Sequence, residues 1–287
     1  MIAIYKKELR AYFNSMIGWM FLAFFFLGIG FYHATINLLQ GYGLLTYALT
    51  SVTIIIILII PIFTMRIMAE EGRQKTDQLL YTSPVSIVQI VLGKFFAMAT
   101  IFAIGVAVLA LYPLTMMPYG DVVFVQEYVS LAGFFLMGCV YMAIGMFISS
   151  LTTSQILAAV ITIGVFLFSF FSGSVADLFE SDNATAMKFM VVLWLIVSLI
   201  AYLLMKNFFV AALIWVVGEV AVLLVYNLKT ELFDGLISKI FSALSITNHF
   251  NSFSYGILSV ADVVYFITVT ALFLFFTVQV INKKRWS

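Results

Sequence analysis

Long apolar runs alternate with short polar breaks along this chain, and the breaks predict its elements. Eight stretches are apolar and long enough to cross the ~30 Å hydrocarbon core of a bilayer, which takes about 20 residues. They run approximately over 16–37, 46–66, 94–115, 128–149, 155–173, 188–205, 208–226 and 262–281. Their apolar character is continuous rather than alternating, so each reads as a helix and not as a barrel strand. Only Lys206-Asn207 separates the sixth from the seventh, which predicts a tight helical hairpin. Six spans plus a re-entrant hairpin is the competing count.

Three segments break the pattern. Residues 1–14 read as an interfacial helix, with Ile2, Tyr5, Leu9, Tyr12 and Phe13 on one face and Lys7 and Arg10 opposite. Residues 66–94 open with a polar island in an otherwise oily sequence, carrying Arg66, Glu70, Glu71, Arg73, Lys75 and Asp77. A segment so charged cannot cross lipid. It reads as a helix continuing the second span from Met65 to Leu80, then a corner at Ser83-Pro84, where Ser83 would cap a new helix and Pro84 would take its first position. Residues 227–261 are half apolar, with Leu232, Phe233, Leu236, Ile237, Ile240 and Leu244 in a stripe, and then His249, Asn251, Tyr255 and Gly256. Too polar to cross and too apolar to float free, they read as helices resting on or dipping into one leaflet.

Composition agrees with this picture. The 287 residues are 64% hydrophobic and 9% charged, far below the ~25% charged content of soluble domains. The expected fold is an all-α integral membrane protein, a polytopic helical bundle forming one transmembrane domain over 1–287 with no water-soluble domain. The apolar run after Arg10 is too long for a cleaved signal, and the single Cys139 forms no disulfide within the chain. Net charge is +1, which gives no reason to expect nucleic acid.

The positive-inside rule orients the bundle. With the N-terminus in the cytoplasm, Lys6, Lys7, Arg10, Arg66, Arg73, Lys75, Lys94, Lys206, Lys283, Lys284 and Arg285 lie inside, and only Lys188, Lys229 and Lys239 outside. Both termini are then cytoplasmic, and the 66–94 segment faces the cytoplasm.

Polar residues within the spans are few. Glu219 is the one acid well inside a predicted span; such a group is either a proton or substrate contact or a neutral carboxyl hydrogen-bonded in the bundle. His33 and His249, without a Cys or acid cluster, make no case for a metal, and none is expected. No G-x-x-x-x-G-K-[ST] is present: Gly93-Lys94 is followed by Phe95, and Val88 stands where the first Gly belongs. The chain is therefore not expected to be an enzyme or to bind a cofactor of its own.

The run Thr64-Met65-Arg66, Ala69-Glu70-Glu71, Leu79-Leu80-Tyr81-Thr82-Ser83-Pro84-Val85 and Ile90-Val91-Leu92-Gly93-Lys94-Phe95 resembles the signature between the second and third spans of ABC transporter type-2 permeases. Among these it is most similar to the gliding-motility type, with the Nos-type copper-processing permease as a cousin. His249-Phe250, Gly256, Asp262-Val263-Val264-Tyr265-Phe266, Lys283-Lys284-Arg285-Trp286 and Ile148-Ser149-Ser150-Leu151-Thr152 extend the resemblance over most of the chain. Lys75 stands where many relatives have Gly, and Gln78 where many have an acid.

The resemblance implies a permease subunit of an ABC exporter in the bacterial cytoplasmic membrane, paired with a second permease. A separate cytoplasmic ABC ATPase subunit would bind the ATP and Mg. Arg66, Glu70, Glu71, Arg73, Lys75, Asp77, Ser83 and Pro84 would form its coupling interface, and Leu151, Thr152 and Gln155 a second, smaller contact. Residues 1–14 would be the elbow helix, and His249, Asn251, Tyr255 and Gly256 part of an outer re-entrant region. Two other readings remain at this stage: a secondary transporter driven by protons through Glu219, and a non-transporting membrane anchor for an ATPase.

Overall fold

A computed structural model describes residues 1–76, 85–119, 122–178, 183–228 and 230–286. Every regular element among them is helical. The helices are α1 (Ile2–Asn14), α2 (Met16–Tyr32, prolonged by a π-helical stretch His33–Leu39), α3 (Thr46–Thr64), α4 (Arg66–Gln74), α5 (Ile87–Leu109), α6 (Tyr112–Met116), α7 (Phe124–Leu151), α8 (Gln155–Leu178), α9 (Asn183–Met205), α10 (Phe208–Leu228), α11 (Leu236–Leu244), α12 (Ile246–Ser254) and α13 (Val260–Trp286).

Seven helical stretches among the described residues are long and apolar enough to cross a membrane: Met16–Leu39, Thr46–Gln74, Ile87–Met116, Phe124–Leu151, Gln155–Val175, Phe208–Leu228 and Val260–Arg285. The chain is thus a multi-pass helical membrane protein. Seven of the eight stretches expected from the sequence are matched in this way, and the sixth lies in α9, whose described apolar stretch Asn183–Leu199 is shorter.

The chain packs as two compact units, Met1–Phe168 with Ile246–Ser287, and Ser169–Ser245. In the first unit α7 is the central pillar, packed on α3, α4, α5, α12 and α13. Its membrane window is 78% buried, against 17% for α13, because the outer helices turn apolar faces such as Phe24, Leu27 and Phe31 of α2 outward, where lipid covers them. Aromatic rings tie the pillar to its neighbours. Phe63 of α3 stacks on Phe21 of α2 at 4.3 Å, Phe25 meets Phe102 of α5 at 5.5 Å, and Phe102 meets Phe134 of α7 at 6.0 Å.

The second unit is built on the α9–α10 hairpin. Lys206 turns the chain with a left-handed φ of 49°, and Asn207 caps α10 by accepting from Phe209 N at 3.0 Å. Ala186, Val222, Phe233 and Ile237 form its core, with Trp194 and Tyr226 packed on them.

Two local expectations are corrected. The helix expected over residues 1–14 does form as α1, yet its buried face is Ile4, Glu8 and Tyr12, while Ile2 is 67% exposed. The helix after the second span, expected to run on to Leu80, is interrupted early. It stops at Gln74, where Lys75 takes a left-handed φ of 56°. Thr76 N then bonds Glu71 O at 3.1 Å and Lys75 N bonds Gly72 O at 3.4 Å, the paired bonds of a Schellman ending. The expected corner at Ser83 and Pro84, and Asp77 before it, lie outside the described residues. The next described helix, α5, begins at Ile87 behind Ser86, whose Oγ accepts from Gln89 N at 3.3 Å.

Candidate functional site

The polar island becomes α4, a short helix running on from α3 through Met65, which keeps helical angles of −55° and −32°. Three neighbours hold it. The first is α7. Ser149 Oγ accepts from Met68 N at 3.2 Å and Ala69 N at 3.1 Å and donates to Met65 O at 2.8 Å. Met68 N is a first-turn amide with no partner inside α4, so a side chain of another helix caps α4. One turn back along α7, Gly145 lets Thr64 of α3 sit directly against the helix backbone, where any Cβ would overlap its hydroxyl.

The second and third holds meet at one ammonium group. Lys94 of α5 is 1% exposed. It pairs with Glu71 Oε1 at 2.7 Å and donates to the Ile67 carbonyl at 3.0 Å and to Glu8 Oε1 of α1 at 3.4 Å. Lys7 stands 3.5 Å from Glu8 and 3.7 Å from Glu71, so two cations face two carboxylates and the cluster is neutral as a whole. A buried ion is tolerated only with such pairing. Burial pushes the Tyr12 phenol far above its ordinary value, with the Glu8 carboxylate adding to the shift; Tyr12 therefore contributes no charge. A cavity of about 340 Å³ lies beside the cluster, lined by residues of α1 and α4 including Ser15, Arg66 and Gln74.

The expected interface residues divide by direction. Glu71 turns inward to Lys94. Glu70 is held within α4, paired with Arg66 and accepting from Gln74 Nε2 at 3.0 Å. Arg73, Gln74, Lys75 and Thr76 form the exposed edge. The second expected contact adjoins the first: a Cβ on Gly72 would lie 3.2 Å from Thr153 Cγ2. Beside it, Leu151 is exposed, while Thr152 and Gln155 are half-buried. Lys284 of α13 donates to the Ser150 carbonyl at 2.6 Å, where a cation at a helix C-terminus is favoured. One end of the first unit thus gathers α4, the α7–α8 turn and the basic end of α13.

The other candidates are not part of this end. His249 lies on α12, where its Nδ1 is 2.7 Å from Asp262 Oδ1 and its ring stacks on Tyr265 at 3.7 Å. Asn251 and Tyr255 are exposed, and Gly256, with φ +74°, packs on the side chain of Gln126. Glu219 belongs to the second unit, and its Oε1 is buried without a hydrogen-bond partner among the described residues.

Three key residues carry no role in the sequence reading. Lys94 enters there as an inside charge and a member of the loop signature, Glu8 is not singled out, and Ser149 enters within the Ile148-to-Thr152 run. Glu8 does stand out in the sequence as the lone acid among Lys6, Lys7 and Arg10, four residues from both Ile4 and Tyr12. That spacing was the available signal for its inward face.

A family model described as ABC-2 family transporter protein matches residues 2–202, more than half of the chain. No curated protein and no solved structure matches it.

Proposed function

The chain belongs to the ABC-2 transporter family, and from that premise we propose that it is the permease subunit of an ABC exporter, driven by a separate ATPase that docks on the exposed edge of α4. The observation that carries this reading is the split character of α4. One side is fastened to α1, α5 and α7 through Glu71 and Ser149. The other leaves Arg73, Gln74, Lys75 and Thr76 exposed next to Thr153. A short helix that is gripped from behind and bare in front can pass a push inward. The chain carries no P-loop of its own, so the push must come from another protein.

Within this reading the α4 end is cytoplasmic. The basic residues of α1, α4 and the end of α13 support that orientation through the positive-inside rule. With both termini on that side the number of crossings is even, so α9 crosses together with α10. A second permease copy completes the substrate path. The finer assignment to the gliding-motility branch rests on the loop and C-terminal residues quoted above.

Arg73→Glu combined with Lys75→Glu tests the docking edge. Both side chains are exposed, so insertion and thermal stability should change little, by about 0.5 kcal/mol at most. Capture of the ATPase by the affinity-purified permease should fall at least tenfold. Undiminished capture would remove this edge from the interface, and a wild-type permease that captures no ABC ATPase would overturn the reading.

A further inference from the structure

The end of α7 remote from α4 repeats the capping arrangement found at Ser149. Glu127 is fully buried, and its Oε1 accepts from Leu45 N at the start of α3 at 3.1 Å. Ser130 Oγ lies 2.8 Å from Thr46 Oγ1 and donates to the Phe253 carbonyl at 2.8 Å. Gln126 Nε2 donates to the Ser254 carbonyl at 3.2 Å. The two carbonyls belong to the last turn of α12, past the reach of the helix's own amides; the Phe253 carbonyl also accepts from Gly256 N just beyond the helix at 2.9 Å. Gly133 completes the contact, since any Cβ there would overlap the Phe253 side chain. Side chains of one helix therefore cap α4 and the start of α3 at their N-termini, and α12 at its C-terminus.

We propose that α7 is a transmission rod, and that Gln126, Glu127 and Ser130 are positioning residues that make α12 move with it. From Ser149 to Ser130 the rod spans about 28 Å at 1.5 Å per residue. Displacement of α4 then reaches α12 on the far side of the membrane by rigid translation or tilt of α7. The start of α3 is fastened to the same rod, so α3 and α7 travel as a pair, and the second span does not tilt alone. A packed, hydrogen-bonded helix pair has discrete arrangements rather than continuous bending, which suits it to carry a step of motion. The direction of the step rests on the permease reading; the fastening of α12 to α7 does not.

Spin labels at Val125→Cys on α7 and Tyr255→Cys after α12 test the fastening, because both positions are exposed, at 73% and 74%. The buried Cys139 is replaced by Ala. In the full-length permease in lipid nanodiscs, the interlabel distance should be single and narrow, and ATP trapping with the bound ATPase should leave it unchanged. Ser130→Ala with Gln126→Leu should at least double its width, while ATPase capture stays at the wild-type level. Should the double variant fail to assemble, Gln126→Leu alone serves, with a smaller broadening. A broad distribution in the otherwise wild-type chain would overturn the proposal. So would a narrow one that survives loss of both side chains. Capture of the ATPase, scored on the same samples, reports separately on the permease reading.

Discussion

Lys94→Met destabilises the permease by about 3–5 kcal/mol, the usual effect of stripping one partner from a buried ion pair. The substitution keeps an unbranched apolar stem one atom shorter and removes the ammonium group, its charge and its donors together. Glu71 and Glu8, 18% and 11% exposed at their side chains, would then face each other across a site without its cation. The Ile67 carbonyl would also lose its donor. Lys7 cannot replace Lys94, because its side chain is 61% exposed and stands 3.5 Å and 3.7 Å from the two acids. The expected readouts are a clearly lowered unfolding midpoint in detergent and loss of substrate-coupled ATPase stimulation, since α4 would no longer be fastened to α1 and α5. Adding Glu8→Gln and Glu71→Gln should recover most of the stability, because the buried site then holds no charge and the cation left over, Lys7, is 61% exposed. A Lys94→Met protein as stable as wild type would show that the cluster does not hold α4.

Gly145→Ala has the second-largest effect, and its sign is the informative part. In an open helix site, Gly to Ala gains up to about 1 kcal/mol of helix propensity. Gly164 of α8 is such a site, with no neighbouring atom within 4 Å of where a Cβ would stand, so Gly164→Ala should be neutral or slightly stabilising. At Gly145 the new methyl would overlap the Thr64 hydroxyl, which is itself bonded to the Ile60 carbonyl at 3.0 Å. Pushing α3 and α7 apart should cost about 1–3 kcal/mol, as overpacking generally does. It should also loosen the Ser149 cap one turn further along. Thermal unfolding of the two variants side by side decides the matter: equal shifts would remove the close α3–α7 approach from the account.

The spans were legible because a helix in lipid must be apolar over its whole length. The charged loop was legible for the converse reason. What sequence could not supply was the direction in which its charges point. Glu71 reads as a solvent-facing acid, and Lys94 as a boundary charge. Each becomes an internal group only because the fold brings α1, α4 and α5 together, and Glu8 and Lys94 lie 86 positions apart. The same pairing turned the buried face of α1 to centre on Ile4, Glu8 and Tyr12, since polarity alone places Glu8 outside. The end of α4 was missed for a local reason. A left-handed ending normally announces itself with Gly or Asn, and here the residue is Lys75.

The central claim is that a foreign ATPase works on α4. Its most direct test is photo-cross-linking in membranes, with a benzoylphenylalanine introduced in turn at Arg73, at Thr153 and at Tyr255. The account predicts adducts with one ABC ATPase from the first two positions and none from the third. No ATPase adduct from Arg73 or Thr153, or an ATPase adduct from Tyr255, would contradict it.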